Sequence, residues 1–434
     1  MDATESAGRP WRAMDADQRR EFWATLALRH CKGIGARTLA KLLRLYGSAY
    51  GAVEARQRWG DAGLLSASRE FAAESWRAAA RREWDSARGL EARILLWSDP
   101  GYPPLLREIP DAPAVLYCRG DGSLLRAPVF AVVGSRRATA QGKAAAAYMA
   151  RCLAACGLTI VSGMAQGIDR VAHEAALGQV GRSIGVLGTG IDVRYPAANA
   201  PVFAAMEREG LLVSEFPPGT PPMAANFPVR NRIISGLALG VLVAEAASRS
   251  GSLVTARLAL EQNREVYAVP GPALDAHCLG SQDLVRQGAR PVFNAEDVLR
   301  DLAARLLPYG ISPDTLPEAE KAAAADGFAA ADGAAPQTVA AAAPAGDAGR
   351  AVGAAPAPSA VEPTPPAPPV AALLAPEAQG ARLLAHLRER GPLQVDALGL
   401  ALGLAPAALS GLLVGLEMQG KVRRLPGARY EVQA

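Results

Sequence analysis

Apolar and polar positions follow different rhythms in successive parts of the chain. Residues 12–88 carry apolar side chains at the three-to-four-residue spacing of amphipathic helices, which predicts helices over Asp17–Arg29, Ala36–Leu45 and Arg69–Leu90. From Arg93 onward, short apolar, β-branched runs alternate with helix-length stretches. The runs predict strands at Ala114–Cys118, Val129–Val133, Leu158–Val161, Ser183–Leu187, Leu211–Ser214, Gly240–Ala244, Glu265–Val269 and Pro291–Phe293. Helices are predicted over Ala140–Ala155 and Ile168–Leu177. Strands without polar alternation, separated by helices, indicate a mostly parallel sheet covered on both faces. Residues 93–300 therefore read as an α/β, extended Rossmann-like domain. From about Pro317 to Pro376 no period survives, and the sequence runs through Ala355-Pro356-Ala357-Pro358 and Pro363-Thr364-Pro365-Pro366. Such composition cannot bury enough surface to offset ordering entropy, so residues 317–376 are expected to form a disordered linker. Periodicity returns over residues 378–434, with helices predicted at Ala381–Arg390, Leu393–Leu400 and Pro406–Gln419. A hairpin of Lys421–Leu425 and Arg429–Val432 around Pro426-Gly427 completes a winged-helix pattern.

Composition narrows the class. Of 434 residues, 50% are hydrophobic but only 5% aromatic, with alanine much the commonest apolar residue. No apolar run approaches the roughly 18 residues that cross a bilayer, and Met1–Trp11 lacks the apolar core of a secretory signal. The five cysteines, Cys31, Cys118, Cys152, Cys156 and Cys278, are odd in number and scattered, which argues against a disulfide framework. A cytoplasmic protein without membrane contact is the expectation. The net charge of +4 conceals an uneven distribution: +4 over residues 1–128, +3 over 129–300, −6 over 301–378 and +3 over 379–434. Every segment outside the acidic linker is mildly basic.

The candidate chemistry lies in the loops that follow the predicted strands, where ligands of open parallel sheets bind. These loops are Gly134-Ser135-Arg136-Arg137, Ser162-Gly163-Met164-Ala165-Gln166-Gly167-Ile168-Asp169, Gly188-Thr189-Gly190 and Ser248-Arg249-Ser250-Gly251-Ser252. Glycine permits close approach of a ligand, helix starts present unpaired N–H groups, and arginine adds a forked permanent charge. Together they describe a phosphate site. No Gly-x-Gly-x-x-Gly or Walker lysine is present, so no nucleotide cofactor is expected. Asn226-Phe227-Pro228-Val229-Arg230-Asn231-Arg232 joins an aromatic ring to two arginines and two amides, which suits single-stranded nucleic acid. Phe227 in the core, with the arginines paired to Glu215 and Glu245, would explain the same residues structurally. Asp169 and His173 stand four apart on one helix face, but a third ligand is lacking and a structural role is expected; no metal or catalytic residue is assigned. Gly33-Ile34-Gly35 opens the second predicted helix and fits either a phosphate-binding hairpin or a tight turn in a helical bundle.

In their order along the chain these motifs resemble a known family. Gly134-Ser135-Arg136, Ser162-Gly163-x-Ala165-x-Gly167-Ile168-Asp169, Ala172-His173, Tyr195-Pro196 and Ser214-Glu215 match it. So do Phe227-Pro228-x-Arg230-Asn231-Arg232-Ile233-Ile234, Ser250-Gly251-Ser252-Leu253-x-Thr255-Ala256, Pro270-Gly271 and Gly288-Ala289. The chain is similar to the DNA-processing protein DprA (Smf) family over nearly its whole length. The resemblance implies a helical SAM or helix-hairpin-helix-like domain over residues 12–90, an extended Rossmann-like domain and a C-terminal winged helix. It implies a non-enzymatic homodimer that binds and protects incoming single-stranded DNA and helps load RecA during natural transformation and recombination. Carried over, the DNA-binding residues are Gly134, Ser135, Arg136, Ser162, Gly163, Gln166, Phe227, Arg230, Asn231, Arg232, Ser250 and Gly251, with Arg136 and Arg232 foremost for phosphate.

Two departures matter. The family usually has Gly-Thr-Asn where this chain has Gly280-Ser281-Gln282. No Lys or Arg occurs from Val395 to Gly420, which includes the expected recognition helix, so the winged helix is expected to contact protein rather than a DNA groove. The contrasting reading is a nucleotide phosphoribohydrolase-like enzyme of the lysine-decarboxylase-like fold. If Thr255 aligns with the threonine of that motif, Leu258 occupies the catalytic glutamate position.

Overall fold

The computed structural model describes residues 8–317 and 376–394, and beyond them 398, 401, 402, 409, 412, 413, 416, 417, 421–425 and 429–432. These fall into two compact units, one on each side of residues 318–375. The expected linker lies almost wholly outside the described residues.

The first unit opens with strand β1 (Arg9–Pro10) and helices α1 (Ala16–His30), α2 (Ala36–Tyr46), α3 (Ala49–Glu54), α4 (Leu65–Ala72) and α5 (Arg77–Arg88). Asp15 caps α1 by accepting from the Gln18 amide at 2.9 Å, while the Gln18 side chain accepts from Asp15 N–H at 3.1 Å. Arg69–Leu90 is not the single helix expected from its apolar spacing. Glu74 takes φ of 55°, and the Trp76 indole donates to the Phe71 carbonyl at 3.0 Å while its ring stacks on Phe71, which separates α4 from α5. Gly33 sits at φ of 85° in the turn before α2, with Ile34 buried in the bundle.

There follow β2 (Arg93–Leu96), α6 (Pro104–Glu108), β3 (Val115–Gly120), β4 (Val129–Val133), α7 (Ala140–Ala155), β5 (Thr159–Ser162), α8 (Ile168–Ala176) and β6 (Ser183–Val186). The chain continues through α9 (Ala200–Glu209), β7 (Leu211–Ser214), α10 (Asn226–Leu237), β8 (Gly240–Val243), α11 (Ser252–Glu261), β9 (Glu265–Ala268) and α12 (Leu279–Arg286). The unit closes with β10 (Arg290–Pro291), α13 (Ala295–Asp301) and α14 (Ala303–Leu306). One sheet runs β1-β2-β3-β7-β6-β5-β4-β8-β9-β10. Strands β7 to β10 in that order pair in parallel, whereas β1, β2 and β3 extend the sheet antiparallel beyond β7.

Every residue of β4 is buried, and alternate side chains enter different cores. Val129, Ala131 and Val133 face a core shared with the N-terminal helices, while Phe130 and Val132 face α7, α8 and α13. That two-sided burial explains why this strand reads as an unbroken apolar run. The helices of residues 12–90 do not have a separate core: Phe22, Leu26 and Trp59 belong to the cluster that also holds Leu95, Tyr117 and Val213. Polar atoms reinforce this junction. Glu83 of α5 accepts from Tyr117 of β3 at 2.7 Å and pairs with Arg29 and His30 of α1 at 3.3 and 2.6 Å.

The second unit contains α15 (Pro376–Arg390), β11 (Leu393–Gln394), β12 (Val422–Leu425) and β13 (Arg429–Val432), with the strands ordered β11-β13-β12. Leu383, Leu387, Leu398, Leu409, Leu413, Val422 and Tyr430 share its core. The expected helix at Leu393–Leu400 begins instead as a strand, because Leu393 and Gln394 pair with Tyr430 and Arg429. Most of the expected helix at Pro406–Gln419 lies outside the described residues.

Candidate nucleic-acid interface

The chain steps outward from β4 through β5, β6 and β7, then returns to β8 on the other side of β4. Between β4 and β8 the direction of winding reverses, and the loops leaving their carboxyl ends diverge to open a crevice. The crevice is lined by the loops after β4, β5, β6, β7 and β8 together with the start of α10, and the connection after β6 contributes Tyr195 rather than the expected Gly188-Thr189-Gly190.

These loops brace one another through backbone and buried polar groups. Ser135 N–H donates to the Glu245 carbonyl at 2.8 Å, and Ile168 N–H donates to the Ser135 carbonyl at 3.2 Å. The Glu245 carboxylate accepts from Thr139 N–H at 3.1 Å, and the Thr139 hydroxyl accepts from Gly142 N–H to cap α7. Glu245 thus orders the Arg136 loop rather than pairing with an arginine. Gly167 takes φ of 80°, and a Cβ there would strike the Ser135 and Arg136 carbonyls, so only glycine fits. Asp169 accepts from the Gly163 and Ala165 amides at 3.1 and 3.4 Å, folding the β5 loop back on its helix. His173 Nε2 accepts from Met164 N–H at 3.3 Å, while Nδ1 donates to Ser183 Oγ at 2.8 Å. Burial, with Arg230 nearby, pushes His173 down to about 3, so its ring is neutral. Burial raises Asp169, opposed by Arg230 and the amides it accepts from. In the fold both side chains are spent on holding the β5 loop and its helix in place.

The resulting cleft has a volume of about 850 Å³. Gly134, Ser135, Arg136, Phe227, Arg230, Asn231, Ser250 and Gly251 line it. Gly163 and Gln166 line an adjoining recess of about 100 Å³, which shares Arg136, Tyr195 and Phe227 with the main cleft. Ser162 reaches neither space; its buried hydroxyl donates to the Val132 carbonyl at 2.6 Å and ties β5 to β4. Arg232, expected to meet phosphate, also lies elsewhere. Its side chain is 6% exposed, bonds both Glu215 oxygens at 2.8 and 2.7 Å, and lies 3.3 Å from Asp111. This is the structural pairing with Glu215, and it removes Arg232 from the cleft. Arg137, Tyr195 and Arg249 line the cleft without having been selected from the sequence, although each adjoins or belongs to a motif that was.

Charge and ring placement divide the lining into two kinds of surface. Arg136, Arg137 and Arg249 are exposed, and none has a carboxylate partner among the described residues. The Arg136 guanidinium lies 5.4 Å from the centre of the Phe227 ring, and Tyr195 lies 5.7 Å from Phe227 with the rings tilted by 42°. Arg230 is different. It is buried, donates to the Gly163 carbonyl at 2.6 Å and to the Val186 carbonyl, and is pushed by burial down to about 10. A Cβ on Gly163 would come within 2.6 Å of that guanidinium. Arg230 is therefore the floor of the cleft and a clamp on the β5 loop. Thr255 lines the cleft, but Leu258, one turn further along α11, does not. Among the described residues no cluster of His, Cys, Asp or Glu could hold a metal ion. None of the cysteines is in a disulfide, and burial pushes Cys31 and Cys118 up to about 11 and 12.

A family model described as DNA recombination-mediator protein A matches residues 93–303, and one described as the DprA winged helix domain matches residues 354–428. The DNA processing protein DprA of Bacillus subtilis is 43% identical over 213 residues, a match covering 49% of this chain and 72% of the relative. The chain belongs to the DprA (Smf) family. Within the family, Protein Smf of Escherichia coli is 50% identical over 202 residues, covering 46% of this chain and 54% of that protein, about half its length. The crystal structure of DprA from Streptococcus pneumoniae superposes with a TM-score of 0.58 at 36% identity, covering 64% of this chain and 97% of that one. The Rossmann-like α/β architecture and the C-terminal winged helix are both family features. Among the described residues no helix is long and apolar enough to cross a membrane.

Proposed function

We propose that the protein binds single-stranded DNA in the β4–β8 cleft, protects DNA entering the cell during natural transformation, and helps load RecA onto it, acting as a cytoplasmic homodimer. The observation that carries this reading is the pairing of unneutralised Arg136, Arg137 and Arg249 with the Tyr195–Phe227 ring pair in one cleft. Unpaired bases expose π-faces that stack on such rings, while the arginines meet the backbone; a duplex hides those faces. The same lining supports a reading of binding without cleavage. Asp169 is the carboxylate among the described lining residues, and backbone amides occupy it.

The test is salt-dependent binding to matched single- and double-stranded oligonucleotides. The single strand should bind more tightly. Arg136→Ala with Arg249→Ala should lower affinity across sequences and reduce the salt slope by about 0.7 per lost phosphate contact. Equal affinity for both DNA forms, or unchanged affinity in the folded double variant, would remove the support for this assignment.

A further inference from the structure

A third recess, of about 440 Å³, also has Arg136 in its wall. Lys143, Gln166, Arg170 and Glu174 contribute the rest of its polar lining. Gln166 connects it to the small recess beside Tyr195 and Phe227, so the three spaces meet around Arg136. Lys143 stands in the first turn of α7 and Arg170 in the first turn of α8, two helices packed side by side. Lys143 is exposed and has no carboxylate partner among the described residues. Arg170 pairs with Glu174 at 2.9 Å, but both are about two-fifths exposed, so water already weakens that pair.

The chemistry differs from that of the main cleft. Among the described residues no aromatic side chain lines this recess, so they offer no surface on which a base could stack. It offers a free ammonium, a guanidinium that can exchange partners, and the shared Arg136. Such a set recognises a phosphodiester backbone and not its bases.

We propose that this recess is a second phosphate subsite, which holds the backbone of the strand after it has crossed Arg136 from the stacking cleft. The assignment rests on single-strand binding in that cleft and adds a direction to the strand's course: from the Ser250–Gly251 loop, over Phe227 and Arg136, onto the α7–α8 face. Arg136 then serves both segments of the strand. Glu174 keeps Arg170 neutralised until a phosphate takes its place.

The experiment uses the full chain, oligothymidylates of about four and about twelve nucleotides, and a Lys143→Gln, Arg170→Gln double variant. Wild type should bind the longer strand at least about ten-fold more tightly than the shorter. The variant should keep the short-strand affinity, lose most of the gain with length, and show a long-strand salt slope smaller by about 1.4, or about 0.7 per contact. Glu174→Gln, which frees Arg170, should raise long-strand affinity and leave short-strand affinity alone. The subsite is overturned if the double variant retains the full gain and slope, or if Glu174→Gln gives no rise. A wild-type chain that binds neither strand overturns the cleft reading as well; one that binds the short strand but gains nothing with length overturns the subsite alone.

Discussion

Arg230 and Arg232 sit two residues apart in one basic motif, yet their side chains do different work. On α10 each residue advances about 100° around the axis, so the two guanidinium groups leave on nearly opposite sides. Arg230 faces the cleft floor, and Arg232 faces Glu215 and Asp111. Read as a basic string, the motif did not reveal this; reading the same seven residues on a helix would have. Arg232→Ala should leave the partly buried Glu215 without its partner, lowering stability by about 2 kcal/mol in urea unfolding, while the folded fraction keeps its DNA affinity. A selective loss of affinity at unchanged stability would contradict the pairing. His173 predicts a pH effect. Its folded value, about 3, lies below the ordinary 6.5, so between these values the unfolded chain binds the extra proton. Stability is unaffected above about 6.5 and falls as pH drops below it, by at most about 1.4 kcal/mol per pH unit from this residue. Unfolding curves at successive pH values should show part of that slope vanish in His173→Gln.

At the scale of elements, the sequence was most readable where burial is two-sided. Val129–Val133 and Leu211–Ser214, buried at every position, are strands over the expected residues. It was least readable where a single side chain redirects the backbone, as Trp76 does between α4 and α5, or where pairing with a distant strand decides, as Tyr430 does for Leu393. The boundary expected near residue 90 illustrates the same limit, because periodicity says nothing of which distant surface a helix covers. Glu83 secures that junction, where α1, α5 and β3 meet. Arg29, His30 and Tyr117 hold its carboxyl below the ordinary range although burial alone would raise it. Its stabilising contribution is therefore present above the ordinary carboxylate pKa and is lost as pH falls through the lower folded value. Glu83→Ala should cost about 3 kcal/mol, and amide exchange should accelerate first in α1 and α5. Uniform acceleration across the sheet would place the weak junction elsewhere.

For the whole molecule, the net charge of +4 is a poor guide to partners, because residues 301–378 carry −6. Placement decides more than the sum: three unneutralised arginines converge on one crevice. The sequence pointed to the loops that follow the predicted strands, and several of those loops line the crevice. It missed Tyr195 because that residue comes from a long connection, whose course depends on the folded sheet. The C-terminal unit is expected to add little to strand affinity, since no Lys or Arg occurs from Val395 to Gly420. A chain ending at Gln337 should therefore bind single-stranded DNA within about three-fold of the full chain in the same salt titration. A loss beyond about ten-fold would assign the winged helix a direct part in binding.

The bracing of the strand loops has a thermodynamic consequence. Ser135, Glu245, Gly167, Asp169 and Arg230 hold the cleft in shape through bonds made within the protein. Little loop entropy is left to lose when a ligand arrives. The ordering penalty falls on the nucleic acid, which must give up its own freedom and any base pairs it had formed. Selection between relaxed and structured DNA can then arise from the strand itself, as a difference in what each must surrender to enter the same fixed groove.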